Sequence, residues 1–89
     1  MQTQRITEND LARGQIRIPR ATKVMFPGEA ADLEVTLRGQ KLPAKWNPGF
    51  GADQERSGVL RIGGPVLESL VAAEEVLKVT VTASGLVLD

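Results

Sequence analysis

Residues 6–27 read Ile6-Thr7-Glu8-Asn9-Asp10-Leu11-Ala12-Arg13-Gly14-Gln15-Ile16-Arg17-Ile18-Pro19-Arg20-Ala21-Thr22-Lys23-Val24-Met25-Phe26-Pro27, and this stretch decides the class of fold. Thr7, with Asp10 three residues on, has the form of a capping box opening one helical turn through Ala12, and Gly14 ends it. Polar and apolar residues then alternate, so Ile16 and Ile18 share one face of a half-buried strand while Gln15 and Arg17 share the other. Pro19 suits the first position of a helix, and a short helical segment over residues 20–25 must stop at Phe26 and Pro27 because proline cannot continue it. Val24 and Phe26 are expected to seal one end of the core. The run is a turn, a basic strand, and a helix start and stop, all within twenty-two residues.

Working outward, residues 5–7 are expected to start a short strand. Residues 32–37 alternate with Leu33, Val35 and Leu37 inward, and Arg38, Gly39 and Gln40 turn the chain into a partner strand over residues 41–46. Residues 47–58 carry several breakers and no periodicity, which predicts a long loop of the functional kind. Residues 59–62 are a strand. Gly63, Gly64 and Pro65 then announce a helix whose apolar positions Val66, Leu67, Leu70 and Val71 recur at helical spacing. A β-branched hairpin over residues 76–82 and 86–88 closes the chain, with Leu77, Val79 and Val81 inward. The expectation is one domain, residues 1–89, mainly β: a seven-stranded open pseudobarrel with two short helices capping the ends.

Composition narrows the chemistry. At 89 residues the chain holds one modest core and no spacious enclosed active site. It contains no cysteine and no histidine, so disulfides, thiolate metal sites and the commonest zinc ligand are excluded, and Ser57, Ser69 and Ser84 have no histidine to activate them. The run Asp32-Leu33-Glu34-Val35-Thr36 offers no lysine in place in the manner of a metal-dependent nuclease. The expectation is therefore a non-enzyme without cofactor or metal. No apolar run nears the ~20 residues needed to span a bilayer, and no signal-like segment opens the chain, so a cytoplasmic protein without a membrane partner is expected. The formal net charge is zero, yet through Pro48 there are eight Lys or Arg against five Asp or Glu, and afterwards three against six. That asymmetry permits a one-sided basic surface on a neutral protein.

The order of these motifs resembles the DNA-binding pseudobarrel superfamily, which joins the plant B-three domain to the effector-binding domain of EcoRII-type restriction endonucleases. The Thr-x-Asn-Asp turn at Thr7 to Asp10, the Ile-Pro-basic strand end at Ile18 to Arg20, and Phe26-Pro27 are similar to the family pattern. Gly39 to Lys45 is similar to its next hairpin. Gly63 and Gly64 stand where the plant pattern has Gly-Trp, and Glu74 and Glu75 where it has Gly-Asp; both departures favour the prokaryotic branch. The resemblance implies sequence-specific binding of double-stranded DNA by two arms in the major groove, here residues 12–17 and 45–57. It further implies a recognition module of a restriction system or a transcriptional regulator, with a fused or partner nuclease or regulator. Gly14 to Pro19 also resembles the core of swapped-hairpin transition-state regulators and antitoxins. A reading from another class is a small β-barrel that binds protein and carries the basic strand as an ordinary solvated face.

The residues expected to touch DNA follow from chemistry and position. Arg13, Arg17 and Arg20 flank the first arm, where a guanidinium can grip phosphate or fork onto guanine O6 and N7. Gln15 and Asn47 carry amides suited to adenine edges, or serve as turn chemistry. Lys45, Gln54, Arg56 and Ser57 belong to the second arm. Trp46 is either a base-stacking platform or a core packer, and Phe50 either an exposed loop tip or a lid.

Overall fold

The computed structural model describes residues 1–49, 57–83 and 85–89. Its elements are α1 (Glu8–Arg13), β1 (Gln15–Ile18), a 3-10 helix (Thr22–Met25), β2 (Ala31–Leu37), β3 (Gln40–Asn47), β4 (Gly58–Arg61), α2 (Gly64–Leu70), β5 (Val79–Thr82) and β6 (Gly85–Leu88). The strands form one sheet in the order β1-β4-β3-β2-β6-β5, curled into a half-barrel. The protein is thus mainly β with two short α-helices. All neighbouring pairs are antiparallel except β2 with β6, where Val35 lies opposite Leu86.

Among the described residues six strands form where seven are expected. The missing one is the opening segment, which is nonetheless hydrogen-bonded on both sides. The Gln4 N–H donates to the Arg17 carbonyl of β1 (3.0 Å), while the Thr3 and Ile6 N–H groups donate to Leu77 and Glu75 (both 2.8 Å). Thr3 and Ile6 are an odd number of residues apart yet donate to the same side, so the chain rotates between them. Strand geometry, with its period of two, cannot survive that rotation, and only a single bridge from Gln2 to Lys78 is regular.

Strand alternation builds the core. Ile16 and Ile18 of β1, Val35 and Leu37 of β2, Leu60 of β4 and Leu88 of β6 are fully buried, with Leu67 of α2 and Leu77 against them. The β2–β3 hairpin turns in two residues, Arg38 and Gly39, both at positive φ (48° and 85°), the combination a two-residue turn of the primed type requires. Arg38 tolerates this with its guanidinium held by the Glu75 carboxylate at 3.1 Å.

Two inward assignments are corrected. Val24 is 77% exposed. The segment is a 3-10 helix of three residues per turn, which aims Thr22 and Met25 at the protein and leaves Val24 outside. Phe26 does seal the end. Val81 is also exposed, because β5 is the sheet edge and its distal half runs past the core. Leu77 and Val79 are buried as expected.

Candidate nucleic-acid interface

The corner made by α1 and β1 is built around one carboxylate. Asp10 accepts the Thr7 N–H at 3.0 Å while its own N–H donates to Thr7 Oγ1 at 3.1 Å, completing the capping box. The same carboxylate accepts the Gln15 amide at 3.1 Å and the Arg17 Nε at 3.0 and 3.1 Å. Arg17 Nη2 donates to the Arg5 carbonyl at 3.0 Å. The Asp10 side chain is 2% exposed and that of Arg17 34%. Burial alone raises the Asp10 pKa, but the hydrogen bonds from Thr7, Gln15 and Arg17, with the Arg17 charge, together hold it below the ordinary carboxylate value.

This geometry draws two expected contact residues into the corner itself. Gln15 and Arg17 do lie on the face of β1 opposite Ile16 and Ile18, yet Gln15 is buried and Arg17 is committed to Asp10. The first expected arm, residues 12–17, is a packed corner rather than a projection. Gly14 closes α1 in the left-handed conformation (φ 67°), and its carbonyl accepts the Ile62 and Gly63 N–H groups at 2.8 and 2.9 Å. A Cβ at Gly14 would overlap the backbone of Gly63 and Gly64, so the start of α2 rests directly on the end of α1.

Of the two readings of Trp46, the structure has the core packer. It is 2% exposed, its ring stacks on Phe26 with centroids 4.4 Å apart, and its Nε1 donates to the Pro27 carbonyl at 2.8 Å. Gly58 allows this, since a Cβ there would run into the indole. Buried, stacked on Phe26 and with its N–H engaged, the ring serves the core.

Arg13, in the last turn of α1, and Arg20 are exposed. Ser57 is half-buried and accepts the Gln4 amide at 3.0 Å, and the Asn47 side chain accepts the Gly49 N–H at 2.8 Å. Gln54, Arg56 and Phe50 lie outside the described residues.

Lys45 is exposed on β3, and the register places it directly opposite Arg61 of β4, which sequence reasoning missed. The pattern Val59-Leu60-Arg61 was the available signal: with Leu60 inward, Arg61 must point outward. The row continues to Asp32 of β2 on one side and Gln15 of β1 on the other. Lys45 Nζ lies 3.7 Å from the Asp32 carboxylate, both side chains more than four-fifths exposed. Arg61 makes no ion pair among the described residues. Arg13 and Arg61 each stand one residue from the Gly14 to Ile62 hydrogen bond, which brings a third cation to the same end of the sheet. Among the described residues no group of three or more Asp and Glu converges in the manner of a metal site, and no helix is long and apolar enough to cross a membrane.

No family model matches the chain, and no curated protein or solved structure matches it either. The likeness to pseudobarrels therefore rests on the order of sequence motifs.

Proposed function

We propose that the protein is a non-catalytic binder of double-stranded DNA, and that its contact face is centred on Lys45 and Arg61 rather than on Arg17 and Trp46. The observation that carries this is the placement of two cations directly opposite each other on exposed neighbouring strands. Asp32 answers Lys45 from the other side at 3.7 Å, which leaves Arg61 as a cation with no ion pair among the described residues, and a polyanion is the partner that supplies one. Arg13 and Arg20 supply further phosphate contacts, and Asn47, two residues from Lys45 on the same face of β3, offers an amide to a base edge. A role as the recognition module of a restriction system or as a transcriptional regulator in the cytoplasm is the biological setting this reading fits.

The test is binding of a random-sequence duplex pool followed by fluorescence anisotropy between 50 and 200 mM salt, conditions set by the steep range of phosphate binding. Affinity is expected to fall steeply with salt. Replacing Lys45 and Arg61 together by alanine is expected to lower the slope of log K against log salt by about 2, one per phosphate contact. A failure to bind any duplex at the lowest salt refutes the proposal.

A further inference from the structure

A depression of about 540 Å³ opens beside the end of β4. Its origin is topological. β3 runs over Gln40–Asn47, yet β4 pairs with it only from Lys45 onward, because the chain leaves the sheet after Arg61 toward α2. The β3 edge at Pro43 and Ala44 is therefore left without a neighbouring strand on that side. Pro43 suits an uncovered edge, since it brings no N–H that would need a partner. The apolar floor of the depression wraps that edge: Leu33 and Ala44 border it from the core side, Pro43 from the opposite face together with Asp32, Lys45 and Arg61, and Ile62 from the chain that leaves β4.

A carboxylate among these cations is the unexplained element. For a surface that holds only phosphates, Asp32 is a liability, because it repels the ligand and occupies Lys45. It becomes useful toward a ligand that is anionic at one point and offers hydrogen-bond donors at another. The apolar floor adds a third requirement, a flat ring that gains by leaving water.

Guanine meets all three. Its Watson–Crick edge presents the N1–H and N2–H donors side by side, matched to the two oxygens of one carboxylate, with the O6 acceptor next to them. We infer that the depression is a subsite for a single unpaired guanine nucleotide of a DNA strand. Asp32 accepts N1–H and N2–H, Lys45 donates to O6, Arg61 holds the phosphate, and the ring lies on Pro43 at the open edge, where Leu33 and Ile62 border it. A base inside a duplex cannot use this subsite, because its edge is paired and its faces are stacked. Adenine and cytosine present one amino group beside an acceptor that a carboxylate repels, and thymine presents one N–H between two carbonyls. This inference rests on the DNA-binding reading above.

The experiment titrates the intact protein with the four deoxynucleoside 5′-monophosphates and with inorganic phosphate, following methyl and backbone signals by NMR. Expected are saturable shifts of the Leu33 and Ile62 methyls with dGMP, at ~10-fold or more lower concentration than with the other three, the discrimination one good bidentate pair supplies. Asp32→Asn is expected to abolish the preference while leaving the phosphate-induced shifts at Lys45 and Arg61. A second arm compares a duplex carrying one bulged guanine with the fully paired duplex, and the bulge is expected to bind more tightly.

Equal responses to all four nucleotides, or an unchanged preference in Asp32→Asn, overturn the subsite. If the random duplex pool binds with the expected salt slope but dGMP shows no preference, the subsite falls and the DNA reading stands. If dGMP is preferred but neither duplex binds, the DNA reading falls and the site is one for free guanine nucleotides.

Discussion

Arg17 and Arg61 sit on adjacent strands, two residues out of register, and serve opposite ends. Arg17 lies against a buried carboxylate and donates three hydrogen bonds inside the molecule, whereas Arg61 faces open surface beside Lys45. The helix decides the difference. Where α1 lies against β1, the outward face of the strand becomes an interior whose polar groups must be paired. Where no described residue lies over β3 and β4, Lys45 and Arg61 stay in water. A basic residue on the polar face of a strand is thus a contact residue only if nothing is packed over that face.

The comparison can be broken most severely at Asp10. Asp10→Ala leaves the Thr7 N–H, the Gln15 amide and the Arg17 guanidinium without their acceptor, and is expected to lower stability by about 3 kcal/mol in urea unfolding. A loss within ~0.5 kcal/mol, the range of ordinary surface changes, would mean that the corner does not depend on its carboxylate. Gly58→Ala tests the other buried cluster. The methyl runs into Trp46, so a loss of about 1–3 kcal/mol is expected. The emission of the single tryptophan is expected to move to longer wavelength as the indole is displaced from Phe26.

Acid sharpens the same contrast. The folded-state pKa of Asp10 is lowered, so its charge adds stability that is fully present above the unfolded carboxylate value of about 3.9 and is lost as pH falls through the folded value. Glu75 behaves in the same direction, its carboxylate accepting the Ala72 N–H and facing Arg38. Asp10→Asn is expected to be less stable than the parent at pH 7 and to converge toward it below about pH 4. An acid limb unchanged by Asp10→Asn would show that the Asp10 charge has no such role. The smallest effect is expected at the open face. Lys45→Ala and Arg61→Ala should each change stability by no more than ~0.5 kcal/mol, and a larger loss in either would make that cation structural, as Arg17 is.

Much of the fold was legible because it is local. The capping box at Thr7 and Asp10 forms as expected, Gly14 terminates α1, and the alternation of Ile16 with Ile18 and of Val35 with Leu37 places them inward. The Arg38-Gly39 turn follows from the short polar break between two alternating runs. The opening segment failed as a strand because its partners, Arg17 on one side and Leu77 and Glu75 on the other, demand a rotation that no local pattern encodes. Less of the candidate site was legible. Lys45 reads as outward from alternation alone, but the pairing of Gln15 and Arg17 with Asp10, the burial of Trp46 and the place of Arg61 opposite Lys45 depend on residues distant in the chain.

The sequence by itself determined the period-two and helical faces, the turns, the class of fold and the exclusion of cysteine and histidine chemistry, since each depends on spacing and residue type alone. Tertiary structure decided which outward faces stay outward. α1 lies on β1 and consumes Arg17; Phe26 and Gly58 enclose Trp46; β4 stops at Arg61 and uncovers the edge of β3. In each case the deciding energy is between residues distant in the chain, where a polar group is either buried and must be paired or left in water and free to bind.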